Sequence, residues 1–230
     1  MNLDPLTFNY GTVTARKPEE DPRRKTIVVS GPSRSGTTMV AEVLLKLGVT
    51  LGTDLDANLL EDIPIRRAIR EYRWDDLKGL IRENDRAFDV WGWKYPESLE
   101  HLEQFTGDLR NPFFIFLFRD PVCTAIRNSL SDDIERDPAH VMLDALNYMK
   151  KAVCFLQESE HPCLGLSYEK SVYYPNNLVD TICDFLFLDP EKAQKEDAVQ
   201  VVSFNNLRYK KATVSRDLVG NLDHANRQRV

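Results

Sequence analysis

The sequence is poor in the residues that build metal centres and disulfide frameworks. Its four cysteines, Cys123, Cys154, Cys163 and Cys183, lie far apart and form no CxxC pair, which excludes a compact zinc or dithiol motif. The four histidines, His101, His140, His161 and His224, are equally scattered and show no HExxH spacing, so metal-assisted hydrolysis of that type has no ligand set. No apolar run approaches the ~20 residues that a helix needs to span a bilayer. A secretory leader pattern is missing as well, and three of the cysteines stand in apolar contexts that suit buried free thiols. The expectation is a soluble, cytoplasmic protein in a reducing compartment. Positive charge is also short: 30 Lys and Arg against 36 Asp and Glu leave a net charge of −6. No global basic field draws the chain to nucleic acid or to acidic membranes, so any anion must be gripped by a local group of cations.

What is present is enough apolar residue, 42% of 230 positions, to build a real core. No internal repeat, low-complexity tract or clear boundary divides it. Residues 1–25, with Pro5, Pro18, Pro22 and a charged run from Arg16 to Lys25, read as a flexible extended arm with little structure of its own. Residues 26–202 form the folded domain. Beyond Val202 the periodicity fades, and 203–230 read as a polar, basic loop or tail.

The chain is organised around Thr26 to Gly48. Ile27, Val28 and Val29 are a β-branched run suited to a buried strand. Met39, Val40, Val43, Leu44 and Leu47 recur at helical spacing, with Gly48 at the glycine stop. Between them lies the loop Ser30 to Thr38. Strand, glycine-framed loop and helix form the layout of a phosphate-binding P-loop, in which backbone N–H groups and the positive helix end converge on an anion. The spacing fits G-x-x-x-x-G-K-[ST] with Gly31, Gly36 and Thr38, but Thr37 stands in the lysine position. Ordinary ATP chemistry thereby loses the charge that reaches the β/γ-phosphates. Arg34, earlier in the loop, supplies a planar fork for an oxyanion instead.

Two further cations sit at strand ends. Phe88 to Trp93 reads as a second buried strand, with Lys94 at its carboxyl end, where open parallel sheets bind ligands. Phe113 to Phe118 is the most apolar run of the chain and suits a central parallel strand. It ends in Arg119-Asp120-Pro121, with Asp120 as N-cap and Pro121 as first helical residue. An arginine directly after such a strand is hard to explain by packing. Arg66 to Arg86 reads as one broken or two short amphipathic helices, Asp137 to Glu158 as a long helix, Cys163 to Tyr168 as a strand and Pro175 to Phe187 as another helix. The expected fold is a single α/β domain, a three-layer sandwich with a mostly parallel central sheet of the P-loop kind.

Gly31-Pro32-Ser33-Arg34-Ser35-Gly36-Thr37-Thr38 resembles the G-x-x-R-S-G-T-[ST] loop of sulfotransferases, which take their sulfuryl group from 3′-phosphoadenosine-5′-phosphosulfate (PAPS). The resemblance implies that Arg34, Ser35, Gly36, Thr37 and Thr38 cradle the 5′-phosphosulfate, with Arg34 also neutralising charge on the leaving phosphate. It likewise implies that Arg119, which matches the arginine of R-[ND]-P, holds the 3′-phosphate. The family's serine eight residues later is Arg127 here, so either Arg127 or, after a small shift, Ser129 completes that site. The segment Trp91 to Pro96 resembles W-x-W-K-x-P, which would set Lys94 against the bridging oxygen. The histidine of the related K-[TS]-H-L-P stretch is absent. Glu61-Asp62 resembles a Glu-Asn pair; Glu61 is then the candidate general base, while a helix-start acid explains the same pair. The family's C-terminal loop often folds over the nucleotide, a role open to 203–230. Sulfuryl transfer from PAPS needs no metal, and the acceptor implied is a small molecule or glycan with a hydroxyl or amine. Two rivals stand beside this reading: a small-molecule P-loop kinase, and a nucleotide-binding protein of the same fold that catalyses nothing.

Overall fold

The computed structural model describes residues 10–129 and 137–202. At its centre is a five-stranded sheet in the order β1-β5-β4-β2-β3, made of β1 (Thr12–Ala15), β2 (Lys25–Ser30), β3 (Val90–Lys94), β4 (Pro112–Phe118) and β5 (Cys163–Ser167). β2 pairs in parallel with both β3 and β4, and β4 with β5; only β1 runs antiparallel, along the outer edge of β5. β2 and β4 are buried over nearly their whole lengths, which explains why their sequences are continuous apolar runs rather than alternating ones.

Helices cover both faces. One layer holds α1 (Thr37–Lys46), α8 (Pro175–Leu186) and α9 (Lys192–Val202), which pack with Ile27, Val29, Phe113 and Ile115. The other holds α2 (Ile63–Arg70), α3 (Trp74–Ala87), the short α4 (Leu102–Phe105) and α6 (Pro138–Glu158), against Val28, Trp91, Trp93, Phe114 and Phe116. The buried indoles keep partners for their N–H groups: Trp91 donates to Asp85 Oδ1 at 2.8 Å and Trp93 to Ser98 Oγ at 3.0 Å, as buried tryptophan requires. Gly92 lies between them, directly opposite Ile27. A Cβ there would stand 2.1 Å from the Ile27 carbonyl oxygen, so close strand pairing beside two large rings depends on glycine.

The expected α/β sandwich and mostly parallel sheet are what the chain forms. The break in the Arg66–Arg86 stretch falls at Glu71–Arg73, between α2 and α3. The N-terminal stretch differs from the expected arm. β1 joins the sheet, Arg16 donates to the carbonyls of Leu156 and Gln157 at 2.7 and 2.5 Å, and Lys17 meets Asp184 at 2.7 Å. Lys25, fully buried, donates to the Leu186 carbonyl at 2.6 Å. The physical reason is the open edge of β5, whose unpaired backbone groups need a partner, and the β-branched Thr12-Val13-Thr14 supplies one. The basic C-terminal segment 203–230 lies outside the described residues.

Candidate active site

The topology creates the site. From β2 the chain moves to β3 on one side, and from β4 it moves to β5 on the other, so a crevice opens where the connections diverge, at the carboxyl ends of β2 and β4. The P-loop leaves β2 there. Arg119 leaves β4 there, followed by α5 (Pro121–Ser129), whose first turn is fixed by Asp120 Oδ1 accepting from Cys123 N at 2.9 Å.

Gly36 caps α1 in the left-handed region, φ 101°, and no side chain bonds to the helix's first amides. Those N–H groups have no acceptor within the helix and point into the crevice with the positive end of its dipole. Gly36 also rests on the Tyr168 ring: a Cβ would sit 2.4 Å from its Cδ2. Arg34 is left-handed as well, φ 66°, a conformation that costs a non-glycine residue about 1 kcal/mol. Arg119 holds it there, donating from Nη1 to the Arg34 carbonyl at 2.6 Å. The Arg119 guanidinium lies 4.4 Å from the centre of the Tyr168 ring. It is 5% exposed, and its Nε has no partner among the described residues. The same is true of the Ser35 hydroxyl, wholly buried under the loop. Two orphaned buried polar groups, one in the loop and one braced against it, are unusual in a folded protein.

Opposite the loop stands a buried ion pair. Lys94, the last residue of β3, donates to Glu61 Oε1 at 2.8 Å, and Arg66 Nη1 reaches Glu61 Oε2 at 3.2 Å. Lys94 and Glu61 are 2% and 5% exposed. Burial pulls the lysine below its usual range, Glu61 opposes the change, and the nearby charge of Arg34 adds to it. Arg127 is likewise lowered, by partial burial first and then by the charges of Arg34 and Arg119. Three arginines therefore crowd one end of the crevice, an arrangement that favours an anion between them.

A cavity of about 260 Å³ joins the two sides, lined by Arg34, Gly36, Thr37, Thr38, Glu61 and Lys94 among others. Arg119, Arg127 and Ser35 do not line it. Thr38 spends its hydroxyl on the Leu59 carbonyl at 3.4 Å. Ser129 is the last residue of α5, and its side chain lies outside the described residues. The Glu61-Asp62 pair divides its work. Asp62 is the N-cap of α2, accepting from Ile65 N at 2.9 Å and from Thr53 N and Asp54 N at 2.8 and 3.1 Å; Glu61, just ahead of the helix, turns to the cavity. Asn128 was not foreseen: it lines the cavity and donates to the Ser33 carbonyl at 3.3 Å. Nor was the Tyr168 platform, since Tyr168 reads in the sequence as the end of a strand. Among the described residues no cluster of His, Cys, Asp and Glu could hold a metal, and no helix is long and apolar enough to cross a membrane.

No family model matches the chain, and no curated protein matches its sequence. Solved structures do match. The sulfotransferase domain of the Synechococcus PCC 7002 olefin synthase is 17% identical over 77% of this chain and 78% of its own length, with a TM-score of 0.51. Mouse sulfotransferase SULT7A1, solved with PAP, is 16% identical over 82% of this chain and 68% of its own, with a TM-score of 0.54. Sulfotransferase STF9 from Mycobacterium avium is 12% identical over 78% and 68%, with a TM-score of 0.52. Identities of this size speak to architecture alone, and the architecture is the α/β sheet with helices on both faces described above. The chain has the P-loop fold of the sulfotransferases.

Proposed function

We propose that the protein transfers a sulfuryl group from PAPS to a hydroxyl or amine acceptor. The observation that carries this reading is Arg119: buried at a strand end, set against the Tyr168 ring, tied by one nitrogen to the P-loop and left with a second nitrogen unpartnered among the described residues. A P-loop that lacks its lysine but has Arg34, Arg119 and Arg127 around it fits a donor with phosphate at both ends better than it fits ATP with magnesium. PAP, the desulfated form of that donor, occupies the similar mouse structure.

In the transfer, the acceptor oxygen or nitrogen bonds to sulfur as the bond from sulfur to the 5′-phosphate oxygen breaks, the acceptor proton goes to a base, and adenosine 3′,5′-bisphosphate leaves. The chain's part is positioning and charge. The α1 amides, Thr37 and Arg34 hold the 5′ end, and Arg34 offsets charge that grows on the leaving phosphate. Arg119, with Arg127 or Ser129, holds the 3′-phosphate. Lys94 leaves Glu61 for the bridging oxygen, and the carboxylate so released takes the acceptor proton. That exchange makes the buried pair a resting arrangement rather than a dead end.

The same pair favours a second reading, a nucleotide-binding protein whose carboxylate never leaves its two cations and which catalyses nothing. Calorimetric titration with adenosine 3′,5′-bisphosphate and with ATP plus magnesium tests the site. Arg119→Ala is expected to weaken bisphosphate binding at least about thirtyfold, since a charge-assisted hydrogen bond contributes ~2 kcal/mol. Tighter binding of ATP, or an unchanged Arg119→Ala, overturns the assignment. Tight bisphosphate binding with no transfer from labelled PAPS to any of a broad acceptor panel supports the second reading.

A further inference from the structure

A second cavity, of about 400 Å³, adjoins the first and shares Ser33, Pro96, Glu97 and Asn128 with it. It lies between the P-loop, the turn after β3, and the facing sides of α5 and α6. Its charge is opposite to that of the donor end. Glu97, Glu100 and Asp144 line it, and among the described residues no lysine or arginine does. Lys151 pairs with Glu100, and Tyr95 donates to Glu97 Oε2 at 2.7 Å, while Asp144 has no partner among the described residues. The floor holds Thr124, fully buried, whose hydroxyl also has no partner among the described residues. A buried hydroxyl costs free energy unless something meets it. Here it lies within a roomy cavity that opens onto the transfer site.

We propose that this cavity binds the acceptor and selects small acceptors that carry an ammonium group, held by Asp144 and Glu97, with the reacting hydroxyl or amine directed to the P-loop side. The inference rests on the sulfuryl-transfer reading for its word "acceptor", but the cation selectivity stands on the cavity alone. The three arginines at the donor end and the acidic second cavity also keep the two substrates apart, since the donor is repelled from the acidic cavity and a cationic acceptor from the arginines.

The test uses three probes of one length: aminohexanol, heptanol and hydroxyhexanoate. Binding is measured by calorimetry on the full chain, with and without saturating adenosine 3′,5′-bisphosphate, and transfer is followed from labelled PAPS. Aminohexanol is expected to bind about fivefold more tightly than heptanol, as two exposed ion pairs provide, and hydroxyhexanoate more weakly than either. The order should flatten in Asp144→Asn, more so in Asp144→Asn/Glu97→Gln, and at high salt. These positions are exposed, so the variants keep the fold. Equal or tighter binding of heptanol, no binding of aminohexanol, or an order that survives the double variant overturns the inference. Ammonium preference without bisphosphate binding keeps the cavity and removes the sulfuryl-transfer reading. Bisphosphate binding without ammonium preference does the reverse.

Discussion

The Lys94–Glu61 pair governs what single side chains can reveal. Removing one partner of a buried pair strands the other charge, so Lys94→Met should lower unfolding free energy by about 3 kcal/mol. Lys94→Met/Glu61→Gln should recover much of that loss in denaturant titrations while transfer stays absent. Glu61→Gln alone should keep bisphosphate binding within about twofold and reduce kcat by at least about a hundredfold, the usual scale for a lost general base. A second residue contributes to an alkaline limit. Burial pushes the Cys163 thiol from 9.0 up to about 11, so the folded chain keeps a proton that the unfolded chain releases. Stability therefore falls as pH rises from about 9 towards about 11, with a slope approaching ~1.4 kcal/mol per pH unit. Cys163→Ala should flatten that slope in denaturation curves collected across the window. The sequence showed Glu61 and Lys94 as separate candidates. Their contact, 33 residues apart in the chain, depends on how α2 packs beside β3, and no local pattern encodes it. Whether the Glu61-Asp62 pair served as general base or as helix-start acid was open for the same reason, because adjacent carboxylates look alike until a helix start claims one.

Among elements, the β2–loop–α1 unit and the arginine after β4 were legible because their signals are local: apolar strand, glycine frame, helical stripe. β1 was hidden by the prolines and charges around it, and its partner β5 lies far along the chain. α9 escaped notice because it buries little besides Ala198, Val201 and Val202. The entry to α2 gives a sharp test. Asp62→Ala removes the acceptor for three backbone amides at once and should cost about 2 kcal/mol in thermal or chemical unfolding. Asp62→Asn, which still accepts with one oxygen, should lose about half as much. Transfer should drop in both because Glu61 is the next residue. At the loop, Gly36→Ala meets both a left-handed backbone and the Tyr168 ring, and bisphosphate binding should fall more than stability does.

For the molecule as a whole, residues 10–25 are part of the fold, not an appendage. Deleting residues 1–17 removes β1 and the contacts of Arg16 and Lys17 with α6 and α8. The edge of β5 would then be bare, so a lower Tm and concentration-dependent association are expected in calorimetry and light scattering. An unchanged Tm would return this stretch to the status of a loose arm. The strand order carries one more consequence, for the way the protein is made. β2 reaches its place between β3 and β4 only after both later strands exist. A chain growing on the ribosome therefore carries the entire P-loop sequence long before it has the proposed nucleotide site, with an apolar strand waiting for its neighbours. Until β4 emerges, that strand is a natural target for chaperones, and under the proposed function the first grip on a nucleotide marks the moment at which the centre of the sheet has closed.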